Sequence, residues 1–336
     1  MLIDFRSDTV TRPTPAMHET MMKAKLGDDV FAEDPTVNEL EAKAAELFGM
    51  EAALFCPSGT MNNQIGIKMH TQPGDEVICD FLSHVYQYEG GGIAFNSGAS
   101  VRLLTGDRGR ITAQQVVEAI NPDDVHKPKS SLLVLENTNN RGGGSCYELA
   151  EIEAIRQVCS TNNLKLHLDG ARLFNALVHK GQAAKDYGRL FDSISICLSK
   201  GLGCPVGSIL IGTKADIQKA RRIRKVFGGG MRQAGVLAAA GIYALDHHVE
   251  RLAEDHTHAK KIEAALLSYS YVESVIPVET NIIIFQLKPN VTAAEMVEKL
   301  KANGILCFAT GKQTIRFVVH LDITKEMVAR TVEAMK

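Results

Sequence analysis

The sequence carries no marked excess of charge of either sign. Its 37 Lys and Arg residues almost balance its 39 Asp and Glu residues, for a formal net charge of -2. Proteins that hold nucleic acid or an anionic membrane through their overall field usually carry a clear positive excess. We therefore expect neither kind of partner. The 336 residues, 45% of them hydrophobic, suffice for one large and one smaller globular domain.

Long apolar runs and paired cysteine motifs are missing as well. No run approaches the length that crosses a bilayer, and residues 1–10 lack the charged and apolar segments of a secretory signal. The seven cysteines contain no C-x-x-C pair, and several, such as Cys79 and Cys197, stand in apolar runs. This usage is typical of reduced thiols in a protein core, so we expect a cytoplasmic protein.

Short apolar runs alternate with helix-length segments through the first two thirds of the chain. A helix is predicted to begin at Asp34-Pro35 and to end at Gly49, because Asp caps helices, Pro fits the first helical position and Gly terminates them. A second helix is predicted at 148–161. Six runs predict buried strands, at 52–56, 76–79, 132–135, 164–168, 193–197 and 208–211. This alternation predicts an α/β domain with a mostly parallel sheet.

The pattern changes after about residue 245. One long helix is predicted from 246 to about 267. Beyond it, strands are predicted at 281–286, 305–308 and 314–319, with helices at 293–302 and 325–335. We therefore expect a large domain over residues 1–245 and a smaller C-terminal α/β domain over residues 246–336.

The first motif with chemical content is Ser58-Gly59-Thr60, which follows the predicted strand at 52–56 and precedes helical residues. At such a junction, unpaired backbone N–H groups and the helix dipole converge and favour an anion. Taken alone, the same residues are more typical of a simple helix N-cap. The motif by itself leaves both interpretations open.

The second motif is Lys200, which follows the predicted strand at 193–197 and precedes Gly201. Burying an ammonium group is costly unless its charge is lost or paired. Desolvation lowers the pKa of a lysine and exposes a neutral amine that can form an imine. The alternative is a lysine that extends into solvent from the end of a strand.

The third motif is Asp169, which follows the predicted strand at 164–168. Ligands of α/β domains bind at the carboxyl ends of parallel strands, and an Asp there can keep a pyridine nitrogen protonated. The alternative is a cap of the next helix. Together the three motifs offer an anion site, an imine-forming amine and a carboxylate. A phosphorylated pyridine aldehyde, such as pyridoxal 5'-phosphate, requires that set.

These residues resemble, nearly verbatim, the motifs of the threonine aldolases, which are aspartate-aminotransferase-like enzymes that depend on pyridoxal 5'-phosphate. The resemblance extends from residues 5–11 to residues 315–317, and its most specific segments are 27–30, 57–61, 198–202 and 228–235. It implies the fold type I architecture of these enzymes, with a large domain and a smaller C-terminal domain. It also implies that Lys200 forms the imine with the cofactor, that Asp169 pairs with its ring nitrogen, and that its phosphate is held by Ser58, Gly59 and Thr60.

The resemblance also implies a substrate site. Arg172 is expected near the ring hydroxyl and the substrate carboxylate, and Ser7 and Arg316 complete the carboxylate site. The planar fork of arginine matches a carboxylate better than lysine does. Lys225 and Arg232 resemble residues that reach a neighbouring subunit's active site, which implies a homodimer or homotetramer with shared sites.

The implied reaction is retro-aldol cleavage of L-threonine or L-allo-threonine, with an amino acid as the small-molecule substrate and glycine and an aldehyde as products. His84 is expected to stack on the pyridine ring and is the leading candidate for the base that removes the hydroxyl proton. His126 is the second candidate, and an ordinary loop histidine is its alternative. β-Elimination, racemisation and cofactor binding without catalysis remain alternative functions.

The sequence departs from the family pattern at two places. Phe31-Ala32 stands where a Tyr-Gly pair is usual, and Asn139 replaces a common His. Neither change touches the expected cofactor residues, so both bear on substrate range.

Two further clusters invite other interpretations. The basic run at 221–225 is predicted to be a solvated helix face or part of a subunit contact, because the net charge argues against nucleic acid. The C-terminal histidines lack ligand-like spacing, so we expect a surface cluster and no metal site at His247, His248, His256 and His258.

Overall fold

The computed structural model describes residues 1–336, and its strands fall into three sheets. The strands in chain order are β1 (Ile3–Asp4), β2 (Ala52–Cys56), β3 (Glu76–Asp80), β4 (Ser100–Leu104), β5 (Ser130–Glu136), β6 (Lys165–Gly170), β7 (Ser193–Cys197), β8 (Ser208–Gly212), β9 (Val272–Val275), β10 (Ile282–Leu287), β11 (Ile305–Leu306), β12 (Phe308–Ala309) and β13 (Thr314–Val318).

Helices connect these strands. In chain order they are α1 (Pro15–Met22), α2 (Pro35–Phe48), α3 (Gly59–His70), α4 (His84–Gln87), α5 (Ala113–Ala119), α6 (Leu149–Thr161), α7 (Leu173–Lys180), α8 (Ala184–Gly188), α9 (Lys214–Val226), α10 (Gly235–His247), α11 (Leu252–Leu266), α12 (Ala293–Ala302) and α13 (Lys325–Ala334). Short 3-10 turns span Asp8–Val10 and Asp29–Phe31, and a π-helical turn spans Ile93–Ser97. None of these helices is both long and apolar enough to cross a membrane.

The ends of α2 confirm the capping prediction. The Asp34 side chain accepts hydrogen bonds from the N–H groups of Thr36 and Val37, and Pro35 occupies the first turn. Gly49 ends the helix with φ of 63°, a left-handed conformation that favours glycine.

The large sheet has the strand order β2-β8-β7-β6-β5-β3-β4. All its strands are mutually parallel except β8, which runs antiparallel to both neighbours, so the prediction of a mostly parallel sheet is confirmed. All six predicted strands of this sheet are present. Because β2, β3, β5, β6 and β7 share one direction, their carboxyl ends meet at one edge of the sheet, where the functional residues lie.

Three strands escaped prediction. The outermost strand β4 is only half-buried along most of its length, which leaves no continuous apolar run to detect. The two-residue strand β1 is defined by its pairing with β11, some 300 residues away. The third, β9, is an exposed edge strand. The predicted strand at 305–308 is wrong as a unit, because β11 pairs with β1 while β12 pairs with β13 in a different sheet.

Two apolar cores divide the chain unequally. One core draws its buried residues from Met17 through Leu252 and covers one face of the large sheet, while two smaller clusters, which include Val77 and Leu54, cover the other face. The other combines Ile3 and Phe5 with residues between 259 and 335. The first residues of the chain therefore pack with the C-terminal layer. We propose that the chain divides close to the predicted boundary at residue 245, with the N-terminal arm crossing to the smaller lobe.

The predicted long helix at 246–267 is interrupted. Helix α10 ends at His247 and α11 begins at Leu252. At the break His248 is buried, and its Nδ1 lies 2.7 Å from the carbonyl oxygen of Leu202. His256 is buried as well, and its Nε2 lies 3.0 Å from Asn175 Oδ1. The prediction that these histidines form a surface cluster is therefore wrong for His248 and His256, which have structural hydrogen bonds.

The basic run at 221–225 is not a uniformly solvated face. Arg224 is buried, lies 2.7 Å from Asp29 Oδ2 and donates to the carbonyl oxygen of Phe55 at 2.6 Å. Arg221 pairs with Glu41 at 2.7 Å. The prediction failed here because the acidic partners lie almost 200 residues away in sequence, so only the fold brings them under α9.

Candidate active site

A cleft of about 210 Å³ lies at the carboxyl edge of the large sheet. It is small and mostly polar, and its side chains come from four segments of the chain, which follow β2, β3, β6 and β7. Its lining consists of Ser58, Gly59, Thr60, Asn63, His84, Glu89, Asp169, Ala171, Cys197, Ser199 and Lys200. The structure thus brings together six of the residues predicted for the cofactor and the chemistry.

Ser58-Gly59-Thr60 forms the junction between β2 and α3. Ser58 is the N-cap of α3, where its Oγ accepts from the N–H of Met61 at 3.2 Å. Both Ser58 and Thr60 are exposed toward the cleft side of this helix end. A Cβ added to Gly59 would lie 2.5 Å from Cys197 Sγ, so only glycine fits between the turn and β7. The capping and anion-site interpretations are therefore compatible at this helix N-terminus.

Asp169 is the second-to-last residue of β6 and is buried. Its Oδ1 accepts from the N–H of Ala171 at 3.1 Å, and its Oδ2 accepts from Asn63 Nδ2 at 3.0 Å. Asn63 lies on α3, one turn beyond the Ser58 cap, and also donates to Glu89 Oε1 at 2.9 Å. Asn63 therefore links the two carboxylates of the cleft, and sequence analysis missed it because a polar residue within a helix gives no local signal.

His84 lies at the start of α4, beyond the end of β3. Its Nδ1 lies 3.0 Å from Glu89 Oε1, and its backbone N–H donates to Glu136 Oε2 at 2.7 Å. Burial alone lowers the pKa of His84, but the hydrogen bond to Glu89 and the negative charges of Asp169, Glu89 and Glu136 outweigh it, so this pKa lies above its ordinary value. Burial and the nearby Asp169 raise the pKa of Glu136 to about 7.

Lys200 lies in the turn after β7, between Ser199 and Gly201. It is partly buried, its Nζ lies 3.4 Å from Cys197 Sγ, and no carboxylate pairs with it. The turn is closed by the N–H of Gly203, which donates to the Lys200 carbonyl oxygen at 2.8 Å. An unpaired lysine that faces a cleft is not the solvent-directed lysine of the alternative interpretation.

Arg172 does not line this cleft as an unpaired group. Its Nε and Nη2 donate to the two carboxylate oxygens of Asp8 at 2.7 and 2.6 Å, and both residues are buried. Burial raises the pKa of Asp8, but the charge and hydrogen bonds of Arg172 outweigh it and hold that pKa below its ordinary value. Asp8 was missed as a functional candidate, although it stands in the N-terminal segment that resembles the family.

Arg316 on β13 approaches the same N-terminal arm. Its Nη2 donates to the carbonyl oxygen of Arg6 at 3.2 Å and its Nη1 to Asn140 Oδ1 at 3.1 Å. Its Nε is buried and has no partner. Burial and the charge of Arg172 lower the pKa of Arg316. Ser7 follows Arg6 directly, and its Oγ accepts from the N–H of Thr9.

Three predicted residues lie elsewhere. His126 is exposed, pairs with Asp124 at 2.8 Å and lies in the segment between α5 and β5. That segment enters β5 at its amino end, so the structure does not bring His126 to the cleft of its own chain. Lys225 and Arg232 are exposed and are also absent from this cleft. Arg232 pairs with Asp28 at 2.9 Å, and its guanidinium lies 5.8 Å from the centre of the Phe31 ring.

The two departures from the family pattern also have defined surroundings. Phe31 is 69% exposed, so it belongs to the surface around Arg232. Asn139 is buried, and its Oδ1 accepts from the N–H of Gly142 at 2.7 Å within the loop after β5. The structure therefore assigns Asn139 to loop packing, away from the cleft lining.

Comparisons with known proteins agree with this geometry. A model of the beta-eliminating lyase family matches residues 4–289. The low specificity L-threonine aldolase of Escherichia coli K12 is 43% identical over 98% of this chain and 96% of its own length. A threonine aldolase structure from Leishmania major superposes with a TM-score of 0.86 at 23% identity, over 99% of this chain and 98% of that one. A structure of SPT with a PLP internal aldimine superposes with a TM-score of 0.76 at 16% identity, over 99% and 86% of the two chains. The protein is an α/β enzyme of the beta-eliminating lyase family and belongs to its threonine aldolases.

Proposed function

We propose that the protein binds pyridoxal 5'-phosphate and cleaves L-threonine and L-allo-threonine to glycine and acetaldehyde. The observation that carries the proposal is the arrangement of Lys200 and Asp169 in one cleft with the N-terminus of α3. Its support is the 43% identity to the Escherichia coli enzyme along nearly the whole chain. The same cleft would serve other β-hydroxy-α-amino acids.

The cleft residues fit this cofactor. Any Cβ at position 59 would fill the space beside the turn. Because Gly59 has no Cβ, the N–H groups of the turn stay accessible to a phosphate. In the same lining Asp169 offers a carboxylate, and Lys200 offers an amine without a counter-ion. Pyridoxal phosphate, when bound, supplies an aldehyde that forms imines and a ring that delocalises negative charge.

The side chains of this chain would then divide the work. Asp169 holds a proton on the ring nitrogen, and Ser58, Gly59 and Thr60 hold the phosphate. Arg316, whose Nε lacks a partner, holds the substrate carboxylate together with Ser7, while Arg172 keeps the arm in place through Asp8. Lys200 would supply the amine that binds the aldehyde of the cofactor.

His84 is the candidate for the group that takes the β-hydroxyl proton while the Cα–Cβ bond breaks. It is the only histidine of the cleft lining, and its side chain is 33% exposed there. The resemblance also implies that its ring stacks on the cofactor. His126 remains a second candidate only if a neighbouring subunit brings it to the cleft.

Lys225 and Arg232 support a further part of the proposal. Both are exposed cations outside the cleft of their own chain, as expected of residues that reach a neighbouring subunit's site. We therefore propose a homodimer, alone or within a homotetramer, with shared active sites. A cytoplasmic location and a part in glycine formation complete the proposal.

The test is the release of glycine and acetaldehyde from L-threonine and from L-allo-threonine by purified protein loaded with the cofactor. We expect both products from wild type and neither from Lys200→Ala. The ratio of the two rates gives the preference at Cβ. Absence of aldehyde in a protein that still carries the cofactor would contradict the aldolase function, and ammonia plus a keto acid, or the D-isomer, would identify elimination or racemisation.

A further inference from the structure

Behind the cleft, polar side chains form a continuous hydrogen-bonded chain across the sheet. Asn63, which donates to Asp169, turns its Oδ1 toward His167 Nε2 at 3.2 Å. His167 Nδ1 lies 2.8 Å from Ser193 Oγ, and Ser193 Oγ lies 2.9 Å from His70 Nε2. The chain therefore runs from the carboxylate of Asp169 to the end of α3. Of these residues, Asp169 is expected to contact the cofactor and Asn63 links two carboxylates. His167, Ser193 and His70 have no role in the proposed function.

The direction of every proton in this chain follows from its surroundings. The Nδ2 of Asn63 faces the carboxylates of Asp169 and Glu89, so its Oδ1 must face His167. His167 Nε2 must then carry a hydrogen. His167 is fully buried, and burial lowers its pKa to about 3, so the ring is neutral and its Nδ1 is an acceptor.

The remaining members follow in turn. Since His167 Nδ1 accepts, the hydroxyl of Ser193 donates to it, and the oxygen of Ser193 accepts from His70 Nε2. Burial lowers the pKa of His70 to about 4, although the carboxylates of Asp216 and Asp192 partly offset that effect. All four links therefore donate in one direction, toward Asp169. Aligned hydrogen bonds polarise one another, and here they favour the charged carboxylate.

The fold also makes room for this chain. A Cβ on Gly66 of α3 would lie 2.6 Å from His167 Cε1, so the helix approaches the imidazole closely only because it has glycine there. His167 stands on β6 two residues before Asp169, on the same face of the sheet. The imidazole ring is therefore packed between α3 and the sheet, where its Nε2 contacts Asn63 Oδ1.

We propose that Asn63, His167, Ser193 and His70 are positioning residues that hold Asp169 as an oriented carboxylate and thereby keep the cofactor ring nitrogen protonated. This inference rests on the cofactor proposed above. It adds to that proposal a row of residues behind Asp169. These residues influence the protonation of the ring nitrogen without contacting the ring.

The test uses the full-length protein loaded with pyridoxal phosphate that carries ¹⁵N in its ring. The ¹⁵N chemical shift reports directly whether that nitrogen is protonated. We expect Ser193→Ala and His167→Phe to move the shift toward the unprotonated value and to lower kcat/KM by up to roughly tenfold, the size that loss of a buried hydrogen bond predicts. The larger effect is expected for His167→Phe, because it also frees the amide of Asn63.

Ser195→Ala is the matched control. Ser195 lies on the same strand as Ser193, two residues away, and its buried Oγ has no hydrogen-bond partner. We expect this variant to retain the wild-type shift. If His167→Phe does not fold, Ser193→Ala, which changes one buried oxygen, decides the question. Wild-type shifts in cofactor-loaded Ser193→Ala and His167→Phe would overturn the inference, whereas a wild-type protein that binds no cofactor would overturn the proposed function instead.

Discussion

Arg172 and Asp8 form a two-pronged ion pair in the interior, with Nε–Oδ2 and Nη2–Oδ1 distances of 2.7 and 2.6 Å. Both side chains are buried, and 164 residues separate them in sequence. The pair ties the N-terminal arm to the start of α7, directly after Asp169. Arg316 contacts the same arm at the Arg6 carbonyl oxygen, so the proposed carboxylate site depends on where the arm lies.

Asp8→Asn is therefore expected to lower the free energy of unfolding by about 3–5 kcal/mol, because it leaves the buried Arg172 without a counter-charge. The folded pKa of Asp8 lies below its ordinary value. The contribution of Asp8 is thus complete above the ordinary aspartate pKa and declines as the pH falls through the lower folded pKa. Urea unfolding of wild type and variant at neutral and acidic pH, at one protein concentration, measures both effects.

Asp4→Asn is the control for that experiment. Asp4 pairs with Arg6 at 2.7 Å, but the Arg6 side chain is 41% exposed, so the loss should stay below about 1 kcal/mol. Equal unfolding free energies for Asp8→Asn and Asp4→Asn would contradict the role of the buried pair.

Glu89→Gln should move the acidic limb of the kcat/KM profile toward lower pH. The hydrogen bond and charge of Glu89 help to raise the pKa of His84, and a base must lose its proton before it can act. Without that charge, His84 becomes neutral at lower pH. Steady-state rates across the pH range give the profile, and Glu19→Gln, on the exposed part of α1, is the control. An unshifted acidic limb would remove His84 from the role of base.

Gly59→Ala should weaken cofactor binding roughly tenfold, since overpacking typically costs about 1–3 kcal/mol and about 1.4 kcal/mol corresponds to a tenfold change in affinity. The added Cβ meets Cys197 Sγ at 2.5 Å. Removing that sulfur in the double variant Gly59→Ala/Cys197→Ala should restore much of the affinity. Titration of each apoprotein with pyridoxal phosphate, followed by absorbance, measures the dissociation constants, with Cys197→Ala alone as the control. If the double variant binds pyridoxal phosphate as weakly as Gly59→Ala, the contact with Cys197 is not the cause of the lost affinity.

Arg316→Lys should raise the KM for L-threonine roughly tenfold, because lysine cannot present the paired N–H groups of arginine to a carboxylate. The partly buried site offers no other partner for Arg316 Nε. Arg330→Lys is the matched control, since Arg330 is exposed and donates only to the Asn303 carbonyl oxygen. A KM unchanged in Arg316→Lys, with a normal unfolding curve, would assign the substrate carboxylate to another group.

The sequence by itself determined the features that depend on neighbours along the chain. The caps of α2, the buried strands of the large sheet and the glycine turn after β2 each have a local pattern. Lys200 and Asp169 could be predicted because both follow such strands, and parallel strands bring their carboxyl ends to one edge. The resemblance to the threonine aldolases then related these residues to one chemistry.

Only the tertiary structure decided which distant side chains meet. The pairing of Asp8 with Arg172 and the burial of Arg224 against Asp29 join segments that are more than 150 residues apart. In the sequence, His167 is an ordinary residue of a predicted strand. Only the structure shows that Gly66 of α3 lies beside its ring. A polar residue inside a helix or strand leaves no periodic signal, and its partners are set by how the layers pack. The residues that tune the site therefore emerge from packing, whereas those that define its chemistry were already visible in the sequence.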